Sequence, residues 1–143
     1  ALVSGPRSSF EHLRPVKLHE LPPIKLVMPS PQHSLRSMLE QYIQLGNISV
    51  ENLIEMDGLF GELDFIRNSD WSAILPISTV IADLGKGELV VNPIVEPLTT
   101  FEFFLVHQTR HPLRQPAREL VGRLESTLQG NAAAWRKLTD SDA

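Results

Sequence analysis

Two short apolar runs, each stopped by a proline and followed by a helical pattern, constrain the fold of this chain more than any other feature. The first run is Ile24 to Met28 before Pro29, and the second is residues 73–75, Ala-Ile-Leu, before Pro76. Apolar runs of this length between turn signals are typical of buried strands. Because strand and helix signals alternate along most of the chain, the sequence predicts an α/β fold with a largely parallel sheet.

The helical pattern after the first run is the clearest periodic signal in the chain. Apolar residues recur there at the spacing of one helix face, and they are Leu35, Met38, Leu39, Tyr42 and Ile43. Ser34 is interpreted as the N-cap and Gly46 as the residue just after the helix. Asp57 is interpreted as the cap of a second helix, whose buried face comprises Leu59, Phe60, Leu63 and Ile66.

The remaining elements follow from weaker signals of the same kind. Strands are predicted at residues 1–3, 50–56, 71–75, 89–91 and 101–106, and a short helix is predicted to start at Ser78 or Thr79. A last helix begins near Pro116, where the missing N–H of proline costs nothing. Its predicted buried face comprises Ala117, Leu120, Val121, Leu124 and Leu128, and the residues after Gly130 are predicted to fray.

Composition excludes several classes of protein. The 17 acidic residues exceed the 13 basic ones, whereas a chain that neutralises nucleic-acid phosphates needs a basic excess or stripe. The absence of cysteine excludes a disulfide scaffold and a thiolate metal site. No apolar run approaches the roughly 20 residues of a membrane helix. A cytoplasmic protein without membrane contact is therefore expected, and the opening "ALVSG" is interpreted as the middle of a longer protein.

The residues that could carry catalysis or hold a metal do not form a recognised pattern. His107 and His111 are four residues apart, but Pro112 argues against the unbroken helix that a pair of histidine ligands needs. The sequence contains no G-x-S-x-G nucleophile elbow and no G-x-G-x-x-G phosphate loop. We therefore predict no enzyme activity, no metal and no cofactor, and His33 is the sole candidate for acid–base chemistry.

The loops that follow the two proline-stopped strands are the candidate ligand site. Ligands of open α/β sheets bind beyond the carboxyl ends of the strands, next to helix N-termini. Gln32, His33 and Ser34 supply side-chain donors beside the free backbone N–H groups of the first helix. Since the positive end of a helix dipole favours negative charge, the predicted ligand is a small organic anion, such as a carboxylate.

The order of the motifs resembles that of the C-terminal effector-binding region of LysR-type transcriptional regulators. The motifs are "PSPQHSLR" opening a helix, "NSDWSAILP", "GKGELVVNPI", "FEFFLVHQ" and "HPLRQPARELVGRL", and they cover residues 1–128. One departure is the segment Ser69-Asp70-Trp71, where the family usually has a glycine-rich turn.

The resemblance implies a fold like that of type 2 periplasmic binding proteins, in which two crossover strands join two α/β subdomains. Residues 1–107 would then be the second subdomain with both crossover strands, near residues 1–6 and 103–107. Residues 108–129 would be the C-terminal helix segment, and residues 130–143 would be a tail. The first subdomain and the winged helix-turn-helix of a full regulator are not in these residues.

In the resembling family, effectors bind in the cleft between the two subdomains. Transferred by position, the implied effector-binding residues are Ser30, Pro31, Gln32, His33, Ser34, Pro76, Ile77, Ser78 and Phe103. Trp71, despite its prominence beside the second strand, is interpreted as a core residue.

The function implied is the small-molecule sensing region of a LysR-type regulator, which would contact DNA only through its absent N-terminal domain. The full-length protein would form a homo-oligomer, either a dimer or a tetramer. Two alternatives remain open at this point, namely a periplasmic solute-binding component and, less favoured, an enzyme on the same scaffold. Fold resemblance cannot separate them, because sites rather than folds carry function.

Overall fold

A computed structural model describes residues 1–100, 102, 104–107 and 112–139. The chain divides into two compact units, Ala1–Thr99 and Thr100–Ala143. All strands in the described residues belong to the first unit, and they are β1 (Leu2–Ser4), β2 (Val16–Lys17), β3 (Ile24–Met28), β4 (Val50–Glu55), β5 (Ser72–Ile74), β6 (Val90–Asn92) and β7 (Ile94–Glu96).

Five of these strands form one mixed sheet in the order β4-β3-β5-β1-β6, and β2 pairs with β7 in a separate parallel ribbon. Strand β3 is parallel to both β4 and β5, whereas β1 is antiparallel to β5 and β6. The predicted parallel arrangement is therefore confirmed for β4-β3-β5, and β1 enters this sheet in the opposite direction.

Two helices connect the parallel strands. Helix α1 (Ser34–Gln44) leads from β3 to β4, and α2 (Leu59–Arg67) leads from β4 back across β3 to β5. Because the two connections run in opposite directions along the sheet, right-handed crossovers place the helices on opposite faces. The first unit is thus a sheet between two helical layers, as expected of an α/β fold.

The core on the α1 side contains the apolar stripe predicted from the sequence. Leu39 is fully buried in one cluster with Leu26 and Met28, and Leu35, Met38, Tyr42 and Ile43 pack against that cluster. Neighbouring strand residues face opposite sides of a sheet. The buried Val27 of β3 therefore faces the other layer, where α2 buries Leu63 and Ile66.

The structure corrects both predicted helix caps by one residue. The N-cap of α1 is His33, whose φ of −85° and ψ of 133° are extended, and Ser34 is already helical. The N-cap of α2 is Gly58 and not Asp57. The pattern of apolar residues predicts the helix, but only the backbone angles decide which polar residue precedes it.

Two predicted buried faces are wrong in part. Phe60 is 88% exposed and Leu59 is exposed as well, whereas Leu63 and Ile66 of the same helix are buried. Helix α3 (Gln115–Thr139) exists and continues past Gly130, where fraying was predicted. Its residues Leu120, Leu124 and Leu128 are exposed. A stripe determines which residues share a helix face, but it does not supply the surface that covers them.

The strand predicted at residues 101–106 is not formed at its described positions, 102 and 104–106. Instead, the loop before β2 covers the free edge of the sheet at β6. The N–H of Leu13 donates to the carbonyl of Val91 at 2.8 Å, and the N–H of Val91 donates to Nδ1 of His12 at 3.1 Å. This loop removes an exposed strand edge, which would otherwise pair with other chains. No helix in the described residues is long and apolar enough to cross a membrane.

Candidate functional site

The carboxyl ends of three parallel strands meet at one edge of the sheet, which we call the carboxyl edge. Met28 at the end of β3 lies beside Glu55 at the end of β4, and Val27 lies beside Ala73 of β5. The loops that follow β3 and β5 therefore leave the sheet at the same edge. The structure brings the two predicted site segments, residues 30–34 and 76–78, to this common edge.

The loop after β3 is anchored at Ser30. The backbone N–H of Ser30 donates to Oδ1 of Asp57 at 2.9 Å, and its hydroxyl donates to Oε1 of Gln32 at 2.7 Å. The N–H of His33 donates to the carbonyl of Ser30 at 3.1 Å, which closes a turn before α1. Ser30 is buried, whereas Pro31, Gln32, His33 and Ser34 are exposed and accessible to a ligand.

Asp57 is a part of this edge that the sequence analysis assigned to a different role. Besides accepting the Ser30 N–H, its carboxylate lies 3.6 Å from Nε2 of His33. The hydrogen bonds from Ser30, and the nearby His33, hold the pKa of Asp57 below its usual value. No local sequence signal joins residues 27 positions apart, and only the β3–β4 pairing brings them together.

Arg36 holds the same loop from the first turns of α1. Its Nε donates to Glu40 at 2.7 Å, its Nη1 donates to the carbonyl of Pro29 at 3.1 Å, and Nη1 lies 3.5 Å from Glu55. The side chain is mostly buried, so these bonds operate with limited screening by water. Arg36 thus links the ends of β3 and β4 to the start of α1 and is a positioning residue.

The loop after β5 forms a 3₁₀ turn, Ile77–Thr79, where a short helix was predicted. Both the N–H and the hydroxyl of Thr79 donate to the carbonyl of Pro76, at 3.0 and 2.6 Å. Pro76, Ile77 and Ser78 are half-buried. Among the described residues, no hydrogen bond or ion pair joins this segment directly to residues 30–34. Phe103 lies outside the described residues, and the neighbouring Phe104 is exposed.

Two helix N-termini lie at the carboxyl edge, one on each face of the sheet, since α1 follows β3 and α2 follows β4. Neither N-cap, His33 or Gly58, makes a side-chain hydrogen bond to its helix. The first N–H groups of each helix therefore lack the usual side-chain acceptor, and both helix dipoles present their positive ends here. Backbone donors in this arrangement can bind an oxyanion without any cofactor.

A buried carboxyl group lies in the first turn of α2. Glu62 is only 6% exposed, and its Oε1 has no hydrogen-bond partner within the part of the chain that the structure describes. Burial raises the pKa of Glu62 to about 7. The sequence analysis did not single out Glu62, because its burial depends on the packing of α2 and not on local composition. No group of three His, Cys, Asp or Glu residues in the described ranges could hold a metal ion.

Comparison with known proteins agrees with this architecture. The family model of the LysR substrate binding domain matches residues 1–129. The HTH-type transcriptional regulator TdcA of Escherichia coli (strain K12) is 21% identical over 114 residues, or 80% of this chain and 36% of that protein. The TdcA proteins of Escherichia coli O157:H7 and Shigella flexneri match equally.

This chain spans about a third of the length of these curated relatives, with 36% of each covered. No solved structure matches it with statistical significance. The family model covers nearly the whole chain, and the described strands and helices form the α/β architecture that the resemblance implied. The chain therefore belongs to the LysR substrate binding domain family, whose fold is like that of periplasmic binding proteins.

Proposed function

We propose that this chain is the inducer-sensing region of a LysR-type transcriptional regulator and that the inducer binds at the carboxyl edge. The family is one of regulatory ligand-binding domains and not a known enzyme family, and the similar curated proteins are named transcriptional regulators. The proposed contacts are residues 30–34 and 76–78, together with Phe103. The subdomain boundaries at residues 107 and 129 belong to the same proposal.

The presence of two helix N-termini without side-chain caps at the carboxyl edge is the observation that carries the proposed ligand chemistry. Such termini favour a negative group, so the inducer is a small organic anion, and a carboxylate fits their backbone donors. Asp57 is negative at the same edge, but its carboxylate already accepts the Ser30 N–H. We assign it to holding the loop and expect it to weaken anion binding.

The proposed mechanism is a shift between two closure states of the effector region. A ligand that binds one state more tightly than the other shifts the population toward that state. The change would alter the packing of a cytoplasmic homo-oligomer, a dimer or a tetramer, on its DNA site. DNA contact would come from a helix-turn-helix outside this chain. No cofactor is required.

The test introduces a competing negative charge at the start of α1. Ser34→Asp stabilises a helix N-terminus, so the fold should be retained, but its carboxylate occupies the donors that the inducer would use. We expect affinity for a small carboxylate, found by a thermal-shift screen of the regulator that contains this sequence, to fall by about tenfold or more.

The matched control is Ser37→Asp, which adds the same charge at an exposed position one turn later. Its effect on calorimetric affinity should be much smaller, since dipole effects are confined to the first turn. Equal affinities for the two variants and the unmodified protein would overturn the assignment of residues 30–34.

A further inference from the structure

A second concave surface lies at the opposite edge of the sheet, which we call the amino edge because β3 and β5 begin there. It is an open cleft of about 290 Å³. The loop after β1 supplies Arg7, Ser8 and Phe10, while β3 and β4 supply Lys25 and Glu51. These residues are far apart in sequence, and none belongs to the proposed inducer site.

One pair of charges in the cleft is already neutralised. Nζ of Lys25 lies 2.6 Å from Oδ2 of Asp70, which precedes β5. The hydrogen bond lowers the pKa of Asp70 and raises that of Lys25, so both groups remain ionised near neutral pH. This pair joins the beginnings of β3 and β5 and forms one wall of the cleft.

Two opposite charges in the cleft have no such pairing. In the described part of the chain, no carboxylate lies within 4 Å of the Arg7 guanidinium, and no cation lies within 4 Å of the Glu51 carboxylate. The lining therefore carries Arg7 and Glu51 outside direct ion pairs, although Arg7 acts electrostatically on Asp70 and Glu51 acts on Lys25. A ligand with a single charge would be attracted to one of these two groups and repelled by the other.

Apolar surface adjoins these charges. Phe10, Pro22 and Pro23 line the same cleft, and the two proline rings have little conformational freedom.

We propose that the amino-edge cleft is a second ligand site, which binds a small zwitterion of the α-amino acid type. The ligand carboxylate pairs with Arg7, because a guanidinium fork matches carboxylate geometry, and the ligand ammonium group pairs with Glu51. The ligand side chain rests on Phe10. This site is separate from the proposed inducer site and does not depend on it.

The experiment is a titration of the regulator that contains this sequence with the twenty standard amino acids, followed by NMR chemical shifts. At least one should bind with a dissociation constant of about 10 mM or tighter and shift the amides of residues 7–10. Its deaminated and decarboxylated analogues should each bind about tenfold or more weakly, because each leaves one charge in the cleft unpaired.

Two charge-removing variants and two controls complete the test. Arg7→Gln and Glu51→Gln should each reduce affinity for the amino acid by about tenfold. Arg14→Gln, which removes an exposed cation outside the cleft, should not, nor should Ser34→Asp at the carboxyl edge. The proposal fails if no amino acid binds, if a singly charged analogue binds equally well, or if both cleft variants bind like the unmodified chain.

Discussion

The two edges of the sheet are built from the same strands, yet they differ in how they carry charge. At the carboxyl edge, positive potential comes from backbone N–H groups at the starts of α1 and α2. At the amino edge, charge resides on the side chains of Arg7, Lys25, Glu51 and Asp70. Backbone donors suit one class of anion, whereas paired side-chain charges can balance a zwitterion.

The edges also differ in how closely they are tied to the core. At the amino edge, Gly5 ends β1 directly against the last turn of α2, where an added Cβ would clash with the carbonyl oxygens of Ile66 and Ser69. At the carboxyl edge, the exposed residues 31–34 form a loop held by Asp57 and Arg36. The comparison indicates an amino edge held by close backbone packing at Gly5 and a carboxyl edge held by the side chains of Asp57 and Arg36, and three variants test it.

The largest effect is expected for Gly5→Ala, which would force β1 and α2 apart at the amino edge. Overpacking of this kind costs about 3 kcal/mol, since both clashing groups are backbone. The free energy of unfolding, measured by urea denaturation, should decrease accordingly. Gly61→Ala is the matched control, because nothing lies within 4 Å of its Cβ and alanine favours a helix. A stability loss in both variants would contradict the account of Gly5.

A smaller, pH-dependent effect is expected for Glu62→Gln near the carboxyl edge. Burial raises the pKa of Glu62 in the folded chain to about 7 from its ordinary value of 4.5, so folding favours the protonated form. Protonation of Glu62 stabilises the folded chain relative to its ionised form. This stabilisation is fully present below about pH 4.5 and is lost as pH rises through 7.

Denaturation of Glu62→Gln at pH 5 and pH 8 measures this loss. At pH 8 the neutral glutamine should make the chain about 2 kcal/mol more stable than the unmodified chain, and at pH 5 the difference should fall to about a quarter of that. Asp64→Asn, which removes an exposed carboxylate from the same helix, is the matched control. A stabilisation of equal size at both pH values would rule out titration of Glu62 as its cause.

The smallest effect is expected for Asp57→Asn, which keeps an oxygen acceptor for the Ser30 N–H but removes the charge. If the inducer is an anion, its affinity should rise by a few-fold, because an exposed charge interacts weakly through water. Asp57→Ala removes the acceptor too, and the amide resonance of Ser30 should then shift strongly. A decrease in affinity for Asp57→Asn with an unchanged Ser30 resonance would indicate a cationic inducer.

The sequence was most informative where the physics is local. The stripe from Leu35 to Ile43 and the run from Ile24 to Met28 depend on residues close in the chain, and both elements formed as predicted. The order of weak motifs was sufficient to predict the family, which the family model confirms. The loops that follow β3 and β5 could also be identified from a local signal, because a proline directly follows each apolar run.

Burial and contacts that depend on residues far apart in the sequence could not be predicted in this way. The apolar pattern of α2 predicts correctly that Ile66 is buried, but it predicts wrongly that Phe60 is buried. Periodicity does not show where the layer that covers the helix ends. The bond between Ser30 and Asp57 requires the pairing of β3 with β4, and the Lys25–Asp70 pair requires that of β3 with β5.

By itself, then, the sequence determined the order of elements, the face that α1 buries and the family. Only the tertiary structure decided that Asp57 reaches the candidate inducer loop, that Glu62 is buried and that a charged cleft lies at the amino edge. The reason is physical: helix and strand patterns arise from neighbouring residues, whereas burial and charge pairing depend on which elements pack together.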